Sequence, residues 1–266
     1  MTPQEKKQLQ VMACKVRMGV IEGVHAAKSG HPGGSLSIAD TLAYLYFKEM
    51  KVDPANPKWE ARDRFVLSKG HAAPALYGAL AQKGYFPEAE IQSLRHVGAI
   101  LQGHPDMKGI PGVDMSTGSL GQGVSCAAGM ALAAKLDKAD WRVYTILGDG
   151  EIEEGQVWEA AMFAAHKKLD NLCVVVDQVN SPYPIPEKFA AFGFHVIVID
   201  AHDWDQLEAA FDAARACKGK PTAIIQHSVK GKGVSFMENQ VGWHGTAPNR
   251  EQYETAMAEL KAALHE

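Results

Sequence analysis

Cysteine is scarce and poorly placed for metal: the 266 residues hold four, Cys14, Cys126, Cys173 and Cys217, and no two form a CxxC pair. A zinc site of paired thiolates is thereby excluded. Three of the four stand in apolar stretches, where cysteine behaves as a small core residue. All four are read as reduced and structural, as expected in the cytoplasm. Basic excess is also lacking. There are 27 Lys and Arg against 31 Asp and Glu, a net charge of −4, so no broad surface is available to neutralise a nucleic-acid backbone. A local anion site needs only a few aimed donors and stays open. No apolar run approaches membrane-spanning length. The opening MTPQEKKQLQVMACK is polar and lacks the apolar centre of a signal peptide. No internal repeat and no low-complexity segment occurs. The expectation is a soluble, cytoplasmic protein with neither nucleic acid nor membrane as partner.

What is present suits one sizeable core. Hydrophobic residues make up 46% of the chain, and the length fits a single α/β domain over 1–266. Residues 3–28 read as a helix, with Leu9, Met12, Val16, Val20 and Val24 recurring at three to four residues and an end near Ser29-Gly30. A loop is expected over 29–35, then a helix over 37–49 capped by Ser37 with Asp40 three places on. A buried strand is expected at 64–68, and helices at 72–83 and 87–95. The stretch 97–117, rich in Gly and Pro and without periodicity, reads as an ordered loop of functional potential. Gly118-Ser119-Leu120-Gly121-Gln122-Gly123 then leads into a small-residue helix ending near Lys135. Beyond it strands at 143–147, 172–176, 195–199 and 222–226 alternate with helices at 155–168, 186–191 and 204–217, and a last helix spans about 250–264. The strands are short and almost continuously apolar, as strands buried on both faces are. Their alternation with helices predicts a doubly wound, mostly parallel sheet with helices on both faces. Ligands of such sheets bind at the carboxyl ends of the strands.

Four features are candidates for chemistry. Gly148-Asp149-Gly150 follows the strand at 143–147. The glycines allow a tight turn and close approach to a ligand, and a carboxylate at a strand end suits a hard cation such as Mg²⁺. The alternative is that Asp149 only caps the turn. The segment 118–123 opens a helix and would aim N–H groups at a phosphate. It lacks the preceding strand and distant acid of a dinucleotide fingerprint, and alone it favours plain close helix packing. His31 and His104 each stand in Gly-His-Pro, His71 in Lys-Gly-His-Ala-Ala-Pro, and His244 after Gly-Trp. These are glycine-bearing loops, better functional contexts than a core, at separations that match no zinc motif. His25, His96, His166, His195, His202, His227 and His265 offer no such context. Finally, His227-Ser228-Val229-Lys230-Gly231-Lys232-Gly233 follows a strand and suits a diphosphate, or is a solvated basic turn.

Together these segments resemble transketolase. The matching stretches are SGHPGGSLS (29–37), DRFVLSKGHAAPALYG (63–78), GHP (103–105), STGSLGQG (116–123), GDGEIEEGQVWEAAMFAAHKKLDNL (148–172), SPYPIPEKFAAFGFHVIVIDAHD (181–203) and KGKGVSFMENQVGWHG (230–245). They follow the family's order and span most of the chain. The resemblance is to the amino-terminal, thiamine-diphosphate-binding half, as in split forms where a second subunit carries the pyrimidine-binding and C-terminal domains. It implies transfer of a two-carbon ketol unit from a ketose phosphate to an aldose phosphate with thiamine diphosphate and Mg²⁺ or Ca²⁺, in the pentose phosphate pathway, and a dimer of heterodimers. It implies that Asp149 binds the metal and Gly150 the diphosphate. Gly118, Ser119 and Leu120 would line the cofactor, and His71 and Lys230 would contact it. His31, His104 and His244 would surround the reactive carbon and the sugar hydroxyls. Glu154 and Glu159 match acids of a carboxylate network across the dimer interface; by position alone they are charges in the first turn of a helix. The glutamate that activates the aminopyrimidine belongs to the partner half, so no activity is expected from this chain alone.

One departure stands out. The resemblance places a second metal ligand, an Asn, at position 179, where the sequence has Val179 with Asn180 one place late. Residues 177–182 resemble the stretch just beyond the family's metal loop, as if a segment after Val176 or Asp177 were missing. Use of Asn180 instead would need a one-residue shift that turns its side chain to the other face. The other readings kept open are another thiamine-diphosphate enzyme, of the 2-oxo acid dehydrogenase or deoxyxylulose-phosphate synthase type, and a non-catalytic partner with a defective metal loop.

Overall fold

A computed structural model describes residues 1–264; His265 lies outside them. The chain folds into two compact units, one formed by residues 51–70 and 113–227, the other by 1–50, 71–112 and the segment from Ser228 on.

The first unit holds the sheet. Its strands are β1 (Arg64–Leu67), β2 (Val143–Gly148), β3 (Leu172–Gln178), β4 (His195–Asp200) and β5 (Thr222–His227). They are all parallel, in the order β1-β2-β3-β5-β4. Between them run α5 (Gln122–Leu136), α6 (Gly155–His166), α7 (Ile185–Ala191) and α8 (Trp204–Ala216); the four helices that precede these in the chain belong to the second unit. Side chains alternate across the sheet. Val66, Val143, Leu147, Val174, Val176 and Ile225 join Val124, Val157 and Phe189 of α5, α6 and α7 in one buried cluster. On the opposite face Tyr144 of β2 meets Phe211 of α8, ring centroids 6.1 Å apart. The expected doubly wound parallel sheet is therefore present. One detail differs: β4 is not buried on both faces, and Val198 is 48% exposed. The cause is position, since β5 inserts beside β3 and leaves β4 at the edge.

The second unit is helical: α1 (Pro3–Ala27), α2 (Pro32–Leu36), α3 (Ala39–Tyr44), α4 (Ala73–Lys83) and α9 (Arg250–Ala263). Thr2 and Glu5 form a capping box at the start of α1, and Lys28 ends it in the left-handed region. Gly78 of α4 lies so close to α1 that an added Cβ would sit 3.0 Å from the Val16 carbonyl oxygen. Arg17 binds Asp40 through two hydrogen bonds, 3.1 and 2.6 Å. Tyr253 of α9 stacks on His25, 4.3 Å between centroids.

Three local expectations are corrected here. Residues 32–36 of the expected loop form the helical turn α2, with Pro32 at its start. The helix expected over 37–49 begins instead at Ala39 and passes into a wider π-turn over Leu45–Glu49. Ser37 does not cap it: its hydroxyl donates back to the Gly34 carbonyl, and Asp40, the intended capping-box partner, is committed to Arg17. The helix expected at 87–95 is a 3₁₀ segment, Glu88–Ser93. Among the described residues no helix is long and apolar enough to cross a membrane.

Candidate functional site

In the helical unit three imidazoles converge. His31 precedes Pro32 at the head of α2, His71 lies in the 3₁₀ turn Gly70–Ala72 that leads into α4, and His244 ends the 3₁₀ turn Val241–His244. Their ring centroids are 5.2 Å (His31–His71), 5.4 Å (His31–His244) and 5.4 Å (His71–His244) apart. Lys230 Nζ lies 3.0 Å from His244 Nδ1. Glycine makes this approach possible: a Cβ on Gly33 would stand 2.9 Å from the Trp243 carbonyl oxygen and 3.1 Å from Lys230 Cε. The Gly231 N–H also donates to the Gly33 carbonyl, 3.0 Å, pinning the 230-loop to the 30-loop.

Burial lowers the His31 pKa below its ordinary value, and His244, Arg95, His104 and Lys230 push the same way. Burial and Arg95 lower that of His104. Both rings therefore sit in surroundings that disfavour their charged form, chiefly through burial and the neighbouring Arg95. Buried His31 Nδ1 has no hydrogen-bond partner, which suits a ring waiting for a ligand.

In the sheet unit the ends of β1, β2, β3 and β5 carry polar groups. Lys69 Nζ donates to Asp177 Oδ2 at 2.6 Å, both side chains 2% exposed, and Gln226 Nε2 donates to Asp177 Oδ1 at 3.2 Å. Asp149 is half-buried at the end of β2. Its Oδ2 accepts the backbone N–H groups of Val179, Asn180 and Ser181 at 3.0, 2.8 and 2.9 Å, and its Oδ1 accepts that of Gly150 at 3.0 Å. Gly150, Ser119 and Glu154 are exposed, Leu120 is 37% exposed and Gly118 half-buried. Glu154 and Glu159 both point outward at the start of α6. A Cβ on Gly121 would meet Glu154 Cβ at 2.9 Å. The two sets of predicted residues thus lie on different units: His31, His71, His104, Lys230 and His244 on the helical one, Gly118, Ser119, Leu120, Asp149, Gly150 and Glu154 on the sheet.

Sequence reasoning missed Lys69, Asp177 and Gln226, the buried polar group at the strand ends. It also missed Ser68 and Glu151. The available signal was polar side chains at the ends of otherwise apolar strands, together with an acid directly after Gly148-Asp149-Gly150. The close helix packing that 118–123 suggested when taken alone is found at Gly123, where a Cβ would lie 2.6 Å from Ser68 Cα.

Residues 8–263 match the family described as transketolase, thiamine diphosphate binding domain. The chain is 46% identical over 264 residues to the 6-deoxy-6-sulfo-D-fructose transketolase subunit SqwG of Clostridium sp. (strain MSTE9), covering 95% of this chain and 96% of that protein. It is 40% identical over 267 residues to an apulose-4-phosphate transketolase subunit of Phocaeicola vulgatus, with 96% and 95% covered. Human transketolase is 41% identical over 273 positions, 98% of this chain but 43% of the relative. That alignment is longer than the 266 residues available here, so the human enzyme has residues with no counterpart in this chain. Transketolase from Campylobacter jejuni superposes with a TM-score of 0.91 at 32% identity, over 98% of this chain and 43% of that one. The chain spans less than half the length of these single-chain transketolases and nearly the whole of the two subunits. It belongs to the family of transketolase thiamine-diphosphate-binding domains.

Proposed function

We propose that this chain is the thiamine-diphosphate-binding half of a two-chain transketolase, moving a two-carbon ketol unit from a ketose phosphate to an aldose phosphate. A second subunit would supply the pyrimidine-binding and C-terminal domains, in a cytoplasmic dimer of heterodimers. The whole span 1–266 as one diphosphate-binding domain belongs to the same reading. The observation that carries it is the cluster of His31, His71 and His244 with Lys230, three imidazoles beside a lysine amine. That set fits a ligand bearing both a diphosphate and a polyol, since imidazole exchanges protons with hydroxyls near neutrality and ammonium pairs with phosphate.

Thiamine diphosphate, when bound, would supply the electron sink that allows a ketose carbon–carbon bond to break. The chain's own residues would orient and hold protons. Lys230 donates to His244 Nδ1, so the His244 proton resides on Nε2, which then offers a donor to a sugar oxygen or phosphate. His31, neutral and with Nδ1 unpartnered, would accept or return a hydroxyl proton, and His104 would serve a neighbouring hydroxyl. His71 would contact the cofactor. Gly118, Ser119 and Leu120 would line it, and Gly150, without a side chain and exposed, would offer its backbone to the diphosphate. Glu154 would serve the carboxylate relay with the partner.

The metal fits less well. Mg²⁺ and Ca²⁺ take oxygen donors. What faces Asp149 Oδ2 is three backbone N–H groups, whose positive ends repel a cation. Val179 has no donor side chain. Among the described residues no group of three or more His, Cys, Asp or Glu is placed to hold a metal. Asp149 is the carboxylate to which a cation would be drawn, but the described residues do not complete the set.

The test is reconstitution. The chain is mixed with its partner subunit and thiamine diphosphate and offered ketose phosphates, sulfonated ketoses or pyruvate as donors. Ketol transfer that requires both chains supports the reading. Turnover of pyruvate alone would move the chain to the 2-oxo acid or deoxyxylulose-phosphate type. Absence of any calorimetric signal for thiamine diphosphate, with or without partner, would leave a non-catalytic role.

A further inference from the structure

Glu151 follows the Gly148-Asp149-Gly150 turn directly, yet it points inward and is only 2% exposed. Its Oε1 accepts the Ser68 hydroxyl at 2.5 Å and the Gly121 N–H at 2.9 Å. Its Oε2 accepts the Gly148 N–H at 3.1 Å. The Ser68 oxygen in turn accepts the Val124 N–H at 3.2 Å, in the first turn of α5. One buried carboxylate and one hydroxyl thereby join three chain segments: the end of β1, the turn 118–123 and the turn 148–150. All of these lie in the sheet unit.

The surroundings are built for this bridge. Thr117 Oγ1 donates to the Leu67 carbonyl at 2.7 Å. A Cβ on Gly70 would lie 2.6 Å from the Gly118 nitrogen, and one on Gly123 2.6 Å from Ser68 Cα. The 117–124 segment is thus pressed backbone to backbone against the end of β1. A helix amino-terminus leaves N–H groups without intrahelical partners and favours negative charge. At α5 the groups of Gly121 and Val124 are taken by Glu151 and Ser68 rather than left for a ligand. The acceptors at this helix terminus belong to the protein itself.

We infer that Glu151, braced by Ser68, is a positioning residue that sets the spacing between the two glycine turns, 118–121 and 148–150. This rests on the proposed function in one respect: those turns carry Gly118, Ser119, Leu120 and Gly150, assigned above to the cofactor. A buried carboxylate holding three donors is costly to disturb, because each N–H left behind stays buried and unpaired. Groups that hold ligand-bearing segments in this way typically alter affinity on the order of tenfold to a hundredfold when removed.

The experiment compares the full-length chain with Glu151→Gln, Glu151→Asp and Ser68→Ala. Glutamine keeps size but must turn an NH₂ toward either the Gly148 N–H or the pair Gly121 N–H and Ser68 hydroxyl. Aspartate keeps charge but is one methylene short of bridging both turns. Amide hydrogen exchange, resolved at Gly121, Gly148 and Val124 by NMR, reads the positioning with no cofactor present. Thiamine diphosphate affinity, measured with the partner subunit, reads its consequence. The expected result is exchange at Gly148 and Gly121 accelerated at least tenfold in the Glu151 variants, at Val124 in Ser68→Ala, and cofactor affinity lowered by about tenfold, while exchange in the core of β3 stays at the wild-type rate. Unchanged Gly121 and Gly148 exchange in a folded Glu151→Gln would overturn the inference. So would accelerated exchange with undiminished affinity. Wild-type chain that binds no thiamine diphosphate while the exchange pattern behaves as expected would refute the proposed function and leave the bridge standing.

Discussion

Lys230 Nζ and His244 Nδ1 stand 3.0 Å apart, joined by a hydrogen bond from the ammonium to the ring. The bond fixes the His244 tautomer and places a positive charge beside three imidazoles. Lys230→Met should release the ring and remove the charge-assisted donor, lowering thiamine diphosphate affinity roughly tenfold in the complex. Calorimetry of the variant with its partner subunit checks this, and unchanged affinity would remove Lys230 from the diphosphate.

Protonation supplies a second handle. His31 and His104 both have pKa values held below 6.5, chiefly by burial. A histidine whose folded pKa is depressed binds fewer protons folded than unfolded, so stability is full above 6.5 and is lost as pH falls toward the folded value. The melting temperature should decline between pH 7 and pH 5. In His31→Asn and His104→Asn the decline should be shallower. Identical slopes in wild type and both variants would contradict the assignment.

The Lys69–Asp177 pair is enclosed on all sides, both side chains 2% exposed. Breaking one partner leaves an uncompensated charge, which costs about 3–5 kcal/mol. Asp177→Asn and Lys69→Met should each lower unfolding stability by that order in urea titrations. Lys69→Met combined with Asp177→Leu should recover much of the loss, since replacing both partners removes the stranded charge.

Asp149 is expected to act on the turn after β3. Asp149→Ala strips the acceptor from three N–H groups and should destabilise the chain by about 1–2 kcal/mol even without any divalent cation. Titration of the wild type with Mg²⁺ alone should give no saturation at micromolar concentrations. A micromolar site abolished by Asp149→Ala would show that the cation displaces those hydrogen bonds.

Two glycines of α5 separate crowding from entropy. Gly123→Ala puts a methyl 2.6 Å from Ser68 Cα and should cost about 1–3 kcal/mol. Gly129→Ala meets nothing within 4 Å and should stabilise by roughly 0.5–1 kcal/mol. Thermal melts of the two variants decide between them.

Much of the fold was legible because its strands are apolar runs between helix-period segments, a pattern that survives without any knowledge of neighbours. The five strands fall within two residues of expectation, from 64–68 to Arg64–Leu67 and from 172–176 to Leu172–Gln178. The failures were local and had tertiary causes. Ser37 and Asp40 look like a capping box until Arg17, twenty-three residues upstream of Asp40, claims the carboxylate. The exposure of β4 depends on β5 being inserted next to β3, a matter of order that no strand's own residues declare.

Residue types alone determined that this chain builds a parallel α/β sheet, and that His31, His71, His104 and His244 stand in glycine-bearing turns rather than on helix faces. Both follow from short-range rules: side-chain periodicity and the backbone freedom of glycine. Only the tertiary structure decided that three of those rings lie within 5.4 Å of one another, that Glu151 turns inward to bind Ser68 and two glycine turns, and that Asp149 closes the turn after β3. Those outcomes depend on which distant N–H groups are brought within reach of a carboxylate, and hydrogen bonds act only across about 3 Å, a distance that sequence spacing does not encode.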